Sequence, residues 1–145
     1  MKKLLSILGV LLLGCDPFVT EFEDLSNALM YEADSKSNET YDSGNVKVVT
    51  WNIRFGIARF PFFGDSCGDD VILDDATIEK NMAAIADSLN AIDADIVLLQ
   101  EVDVSSKRTG YIDQVQYLLD NTNLNYGCYA SMWKADFIPS DGIGR

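Results

Sequence analysis

The stretch from Val46 to Ile53, with the sequence VKVVTWNI, decides the fold class of this chain. It is apolar nearly throughout and rich in β-branched residues, as in a strand that is buried on both faces. A second apolar stretch, Ile96 to Leu99, predicts another buried strand. Between them, apolar residues recur every three or four positions and predict a helix along Ile78, Met82, Ile85, Leu89 and Ile92. This order predicts a right-handed crossover between parallel strands, and therefore an α/β fold.

The sequence around this unit predicts further elements of the same fold. Asp74 or Asp75 is expected to cap the first helix, because an aspartate side chain accepts hydrogen bonds from the free N–H groups of a helix start. A second helix is predicted from Tyr111 to Asn121, and a third strand from Tyr126 to Trp133. The whole arrangement is that of one modest α/β domain.

Composition excludes several classes of protein. The chain has 145 residues, of which 48% are hydrophobic and 23% charged, which is typical of a globular domain and not of a disordered protein or a coiled coil. Its 23 acidic and 11 basic residues give a net charge of −12, and it has no histidine. Because DNA binding requires a basic surface that displaces counterions, genomic DNA is not expected as a partner.

The amino terminus has the pattern of an export signal. Lys2 and Lys3 precede a ten-residue apolar stretch, Leu4 to Leu13, which is too short to span a membrane. Gly14 and Cys15 follow, and the segment resembles the lipobox of bacterial lipoproteins. The resemblance implies lipidation of Cys15 and an exported protein that is anchored by lipid in the bacterial cell envelope. An ordinary signal peptide is the alternative.

These features divide the chain into three predicted regions. Residues 1–14 would be the lipoprotein signal peptide, residues 15–45 an acidic tether, and residues 46–145 the domain. Cys67 and Cys128 remain as an even pair in an exported chain, so they could form a disulfide or stay apart.

Two polar side chains stand where the predicted parallel strands end. Asn52 lies at the end of the first strand and Glu101 directly after the second. Ligands of parallel α/β sheets bind outside the carboxyl ends of the strands, and a carboxylate there suits a hard cation such as Mg²⁺. Alternatively, Glu101 ends its strand in solvent and Asn52 caps a turn.

Two motifs in these strands resemble a known family. Thr50 to Arg54 (TWNIR) and Ile96 to Asp103 (IVLLQEVD) are similar to the first two motifs of the endonuclease/exonuclease/phosphatase family, whose members have DNase I-like folds. The resemblance extends over Val46 to Arg145. It implies a four-layer α/β sandwich and a Mg²⁺- or Mn²⁺-dependent hydrolase of phosphodiesters or phosphomonoesters.

The resemblance also implies roles for individual residues. Glu101 matches the principal metal carboxylate of the family, and Asn52 matches the asparagine that organises metal and phosphate. Arg54 and Arg108 could bind phosphate or be solvated surface residues. Asp113 and Gln114 could support the site or simply form the first turn of a helix. The candidate substrate-binding residues are thus Arg54, Arg108, Asp113 and Gln114.

The sequence departs from the family pattern in its later motifs. The family supplies an Asp-x-Asn pair and a terminal Asp-His pair, whereas this chain has no histidine. Loss of a general base costs a hydrolase roughly 10²–10⁴-fold in rate. We therefore expect the amino-terminal half of a longer enzyme, with only the first half of the fold and little activity of its own. Alternatives are a non-catalytic surface lipoprotein that uses the scaffold for binding, or an envelope adaptor that a partner covers.

Overall fold

A computed structural model of the chain describes residues 28–38, 44–62, 68, 70 and 72–132. Every helix and strand described below lies in one compact unit of the chain, Ala28–Tyr129. The predicted signal peptide and Cys15 lie outside the described residues.

The predicted crossover is present in the structure. Strand β2, Val48–Asn52, pairs in parallel with β3, Ile96–Gln100, and helix α1, Asp75–Ile92, connects them. The pairing joins Val48 to Ile96 and ends with Asn52 opposite Gln100. The prediction of two parallel strands with an intervening helix is therefore confirmed.

Helix α1 is bounded by two aspartates, Asp74 at its start and Asp93 at its end. Asp74 is the N-cap, and its carboxylate accepts hydrogen bonds from the Thr77 N–H at 2.9 Å and the Thr77 hydroxyl at 2.6 Å. Asp93 ends the helix in the left-handed conformation. Four residues of the predicted stripe are buried, but Ile92 is 39% exposed and falls outside the core. The buried four are Ile78, Met82, Ile85 and Leu89.

Helix α2 is shorter than predicted. It spans Gln114–Asp120, because Asp113 caps it by accepting hydrogen bonds from two N–H groups of its first turn. Tyr111, where the helix was expected to begin, has a φ of +60° and lies before this cap. A residue with positive φ cannot continue a right-handed helix.

A second small sheet corrects the predicted tether. Strand β1, Leu29–Glu32, pairs antiparallel with β4, Tyr126–Tyr129. The tether prediction for residues 15–45 is therefore wrong over residues 28–38, where polar side chains of the domain also bind the backbone N–H groups of Asp34 and Ser37. Strand β4 confirms the start of the third predicted strand but ends at Tyr129.

The sheet of β2 and β3 is buried on one face only. Val49, Trp51, Val97 and Leu99 pack against the core. The other face is open, with Val48 and Leu98 each 54% exposed. The prediction that both strands are buried on both faces is therefore wrong, because the described elements cover only the side of α1. Within the described residues the chain is a mixed α/β protein with two small sheets.

The core lies between α1, α2 and this covered sheet face. It consists of buried apolar residues with several half-buried aromatic side chains around them, and its buried members are Ile53, Ile57, Leu73, Ile78, Met82, Ile85, Ala86, Leu89 and Leu118. Cys128 on β4 is an exposed free thiol among the described residues, and Cys67 lies outside them. In the part of the chain that the structure describes, no helix has the length and apolarity needed to cross a membrane.

Candidate active site

Asn52 and Glu101 are in direct contact at the ends of β2 and β3. The Asn52 Nδ2 atom donates a hydrogen bond to Glu101 Oε1 at 2.9 Å. The contact follows from the register, since Asn52 pairs with Gln100 and Glu101 is the next residue. Both side chains are exposed. The structure thus brings together the two residues that the strand order predicted to be neighbours.

Backbone hydrogen bonds hold together the two segments that follow these strands, which are residues 53–55 and 101–103. The Ile53 N–H donates to the Gln100 carbonyl at 3.1 Å, and the Phe55 N–H donates to the Glu101 carbonyl at 2.8 Å. The ladder between the strands therefore continues past their ends and through Glu101.

Three residues of these segments have left-handed backbone conformations. The φ angles are +49° at Arg54, +55° at Phe55 and +53° at Glu101. Such conformations cost non-glycine residues of order 1–3 kcal/mol each and persist only where surrounding contacts impose them. One such contact is the hydrogen bond from the Arg54 N–H to Asn52 Oδ1 at 2.9 Å. Asn52 therefore uses its amide oxygen to hold its own turn and its amide nitrogen to orient Glu101.

The donor chemistry suits a hard cation that is mostly held by water and substrate. Among the described residues, Glu101 Oε2 accepts no hydrogen bond, so one carboxylate oxygen is available on an exposed surface. Mg²⁺ is commonly bound by one or two protein carboxylates, with its other positions taken by water and phosphate. The described part of the chain contains no group of three or more His, Cys, Asp or Glu side chains that could hold a metal ion. The donor set thus allows Glu101 to act as one carboxylate ligand of a metal ion.

Arg54 folds back over its own loop. Its Nη1 atom donates to the carbonyl of Ala58 at 2.8 Å, across the 3₁₀ turn Arg54–Gly56. The side chain is half-buried. A role in phosphate binding stays a prediction for this residue.

Arg108 is paired with a carboxylate that the sequence analysis did not single out. Its Nε and Nη2 atoms donate to the two oxygens of Asp103 at 2.7 and 2.6 Å, and its guanidinium lies 3.4 Å from the ring centroid of Phe55. The hydroxyl of buried Thr109 also donates to Asp103 at 3.1 Å. The position of Asp103 at the end of the second motif, five residues before Arg108, was the available signal. In this structure the charge of Arg108 is matched within the protein rather than presented to a substrate.

Gln114, predicted to bind substrate or to support the site, is fully buried. Its Nε2 atom donates to the Phe55 carbonyl at 2.6 Å, and its Oε1 atom accepts from the Asp103 N–H at 3.0 Å. Both bonds go to backbone groups of the segments after β2 and β3. The other interpretation, in which Gln114 supports the site from behind, fits these contacts.

Asp113 acts as the cap of α2 and as a partner of Tyr31. One oxygen accepts from the N–H groups of Val115 and Gln116, each at 3.1 Å, and the other accepts from the Tyr31 hydroxyl at 3.0 Å. Burial of the phenol, followed by its bond to this carboxylate, raises the pKa of Tyr31 to about 12. Asp113 therefore links β1 to α2 and caps that helix from the position before its first turn.

Comparison with known proteins identifies the family. The family model described as Endonuclease/Exonuclease/phosphatase family matches residues 49–144, a range that includes both Asn52 and Glu101. Searches of curated proteins and of solved structures find no significant match. The match covers well over half of the 145 residues and agrees with the parallel strands that carry the two motifs. The chain therefore belongs to the endonuclease/exonuclease/phosphatase family of phosphoesterase-type hydrolases.

Proposed function

We propose that this protein is a metal-dependent hydrolase of phosphodiesters or phosphomonoesters, with Glu101 as its metal carboxylate. The observation that carries the proposal is the contact between Asn52 and Glu101 at the ends of two adjacent parallel strands. In such folds the crevice at the carboxyl ends of the strands is where ligands bind.

Each residue of the pair has a distinct task in this proposal. Glu101 would bind Mg²⁺ or Mn²⁺ through its available carboxylate oxygen, while Asn52 holds the other oxygen and fixes the orientation of the group. When bound, the ion would polarise a phosphoryl oxygen and offset the charge that develops on it. Because Asn52 is neutral, it can touch Glu101 without the repulsion that a second carboxylate would bring.

The proposed substrate is a phosphate ester other than genomic DNA. The net charge of −12 repels a polyanion at long range, whereas a small ester is bound chiefly by the metal and nearby donors. Arg54 is the cation nearest in sequence to Asn52, so it is the residue of this chain that we propose as a phosphate contact.

The absence of histidine limits what these 145 residues can do alone. The family uses an Asp-His pair in the later part of its fold, and a missing general base slows hydrolysis by roughly 10²–10⁴-fold. We therefore expect the 145-residue chain to be nearly inactive, and activity is to be sought in the natural gene product as the source cell makes it.

We also propose that the protein is exported and held at the bacterial cell envelope by lipid on Cys15. The proposal rests on Lys2, Lys3, the apolar stretch to Leu13 and the cysteine that follows Gly14. Radiolabelled palmitate should be incorporated into the wild-type protein and not into a Cys15→Ala variant, and the variant should no longer be found in the membrane fraction. Absence of the label from the wild-type protein would contradict the proposed lipid anchor.

The test of the hydrolase proposal uses the natural gene product and two chromogenic esters. We expect bis(p-nitrophenyl) phosphate or p-nitrophenyl phosphate to be hydrolysed after addition of Mg²⁺ or Mn²⁺ and not in EDTA. Glu101→Gln should abolish turnover, because the amide cannot replace a charged metal ligand. Glu79→Gln makes the same change on the exposed face of α1 and should leave turnover intact. Equal activity of the two variants would refute the role of Glu101.

A second candidate, a binding module without catalysis, is favoured by the missing histidine alone. It predicts that the natural gene product binds a phosphate ester in equilibrium dialysis but does not hydrolyse it in the presence of any divalent cation. Turnover that depends on Glu101 would exclude it.

A further inference from the structure

Gln114 connects the two segments that carry the proposed active site. It is the first residue of α2, and its side chain is fully buried. The side-chain amide makes one hydrogen bond to each of the two segments. The Nε2 atom reaches the carbonyl of Phe55, three residues after Asn52. The Oε1 atom reaches the N–H of Asp103, two residues after Glu101.

The amide is suited to this place in a way that few side chains are. A carbonyl from one segment and an N–H from the other point at the same buried position, so the group between them must donate on one side and accept on the other. A neutral amide does both without introducing a charge. If either bond were lost, a buried backbone group would remain unsatisfied, which is unfavourable in a protein interior.

A second set of contacts joins the same two segments independently. Arg108 binds the carboxylate of Asp103 through two hydrogen bonds and stacks on the ring of Phe55. Gly56 packs closely behind Gln114, since a Cβ atom there would lie 3.3 Å from its Nε2 atom and 2.9 Å from Met82 Sδ. The segments are therefore held from the core side, while Asn52 and Glu101 meet on the exposed side.

From this geometry we propose that Gln114 is a positioning residue of the active site, which holds Glu101 in register with Asn52. The direct backbone link between the segments is the hydrogen bond from the Phe55 N–H to the Glu101 carbonyl, at 2.8 Å. Both of its residues have φ near +55°, a conformation that needs external support. Gln114 gives that support by binding the carbonyl of Phe55 on one side and the N–H of Asp103, two residues after Glu101, on the other.

The effect on catalysis rests on the function proposed above, whereas the effect on the segments does not. Residues that orient a metal ligand typically change metal affinity or activity by 10- to 100-fold when they are replaced. We expect Gln114→Met to raise the Mg²⁺ concentration for half-maximal activity by about 10-fold or more, because Glu101 is then less well oriented. Substrate KM at saturating Mg²⁺ should change much less.

The experiment compares Gln114→Met with Gln116→Met in the natural gene product. Gln116 lies on the same helix and donates to the Glu32 carbonyl and to Asp120, away from both segments. Amide hydrogen exchange, read by NMR in the absence of metal, should show faster exchange at Phe55 in Gln114→Met, with the amides of α1 unchanged. Gln116→Met should leave the exchange at Phe55 and the Mg²⁺ requirement as in the wild type.

Three results would overturn the proposal. These are an unchanged Phe55 amide in Gln114→Met, an equal rise in exchange along α1, and a Mg²⁺ requirement that matches that of Gln116→Met. If the natural product hydrolyses no ester, the proposed function fails, and exchange at Phe55 still decides the role of Gln114.

A second variant serves if Gln114→Met does not fold. In Gln114→Glu, a protonated carboxyl both donates and accepts, as the amide does, and burial raises the pKa of the new group. Asp103, whose N–H binds Gln114, has its carboxylate paired with Arg108, while the neighbouring Met82 of α1 is apolar. Exchange at Phe55 relative to wild type should therefore be near normal in mild acid and rise with pH; a ratio that does not vary with pH would overturn the proposal.

Discussion

Removal of the Arg108 side chain should destabilise the fold more than removal of any surface charge. The guanidinium binds both oxygens of Asp103, whose side chain is only 9% exposed, while that of Arg108 is 20% exposed. In Arg108→Ala, the one side-chain partner that the buried carboxylate keeps among the described residues is the hydroxyl of Thr109, at 3.1 Å. The face of the Phe55 ring loses its cation as well.

The magnitude follows from these contacts. Breaking a buried ion pair by removing one partner typically costs about 3–5 kcal/mol, because the other charge stays buried without compensation. The lost cation–π contact adds about 0.5–2 kcal/mol. Since water reaches part of the guanidinium and screens the pair, the lower end applies, and we expect a loss of about 3–4 kcal/mol in the free energy of unfolding.

Urea denaturation followed by tryptophan fluorescence measures this loss, with Lys36→Ala as the control. Lys36 pairs with Glu32 on an exposed surface, and its removal should hardly move the midpoint. The double variant Asp103→Ala, Arg108→Ala should be more stable than the sum of the single changes predicts, because it leaves no unpaired charge. A loss below about 1 kcal/mol in Arg108→Ala, or strict additivity, would refute the view that this pair is buried and coupled.

Three further predictions concern stability. Tyr31→Phe should remove a pH dependence of stability at alkaline pH. The raised pKa of Tyr31, about 12, stabilises the fold below the ordinary value of 10, and this stabilisation is lost as the pH rises from 10 toward 12. Tyrosinate absorbance and urea midpoints measure the effect, and titration of Tyr31 near 10 would contradict it. Asp113→Ala should cost about 1–2 kcal/mol in urea unfolding, since α2 loses its cap, and an unchanged midpoint would argue against the cap. Met82→Ala should cost about 2–5 kcal/mol, whereas Leu98→Ala on the open sheet face should cost under about 1 kcal/mol; similar losses would mean that the face is covered.

The sequence predicted the parallel unit well because its signals are local. The β-branched run before Asn52, the apolar stripe through Met82 and the aspartate at position 74 each specify structure within a few residues. The parallel register then sets Asn52 beside Glu101, so this contact could be predicted with no knowledge of packing.

The predictions that failed for the open sheet face and for strand β1 have one physical cause, which is that burial and strand pairing depend on segments that are distant in sequence. The strands that contain Val48 and Leu98 have the apolar composition of strands covered on both faces, yet the described elements cover only one face of their sheet. Strand β1 was not predicted, because it has only four residues, LMYE, and lies in a stretch that is rich in Ser, Asn, Asp and Glu. A short strand of this kind is fixed by its partner and not by its own propensity.

The supporting network was only partly foreseeable. Arg108 and Gln114 were singled out by resemblance, but a polar residue near a motif can point to a ligand or to the backbone, and sequence does not distinguish these outcomes. Burial decides the matter, since Gln114 is enclosed and Asp103 nearly so. Polar side chains that bind backbone at the base of a site are thus easily taken for ligand-binding residues.

The pairing of β1 with β4 has a consequence for how the protein is made. Leu29 and Tyr129 are partners across almost the whole described chain, so a loop of roughly a hundred residues closes when they meet. On the ribosome, β1 emerges early and must wait unpaired until β4 has been synthesised, whereas β2, α1 and β3 are contiguous and can assemble sooner. Contacts between residues so far apart slow folding, which favours an order in which the parallel unit forms first and the antiparallel ladder closes last.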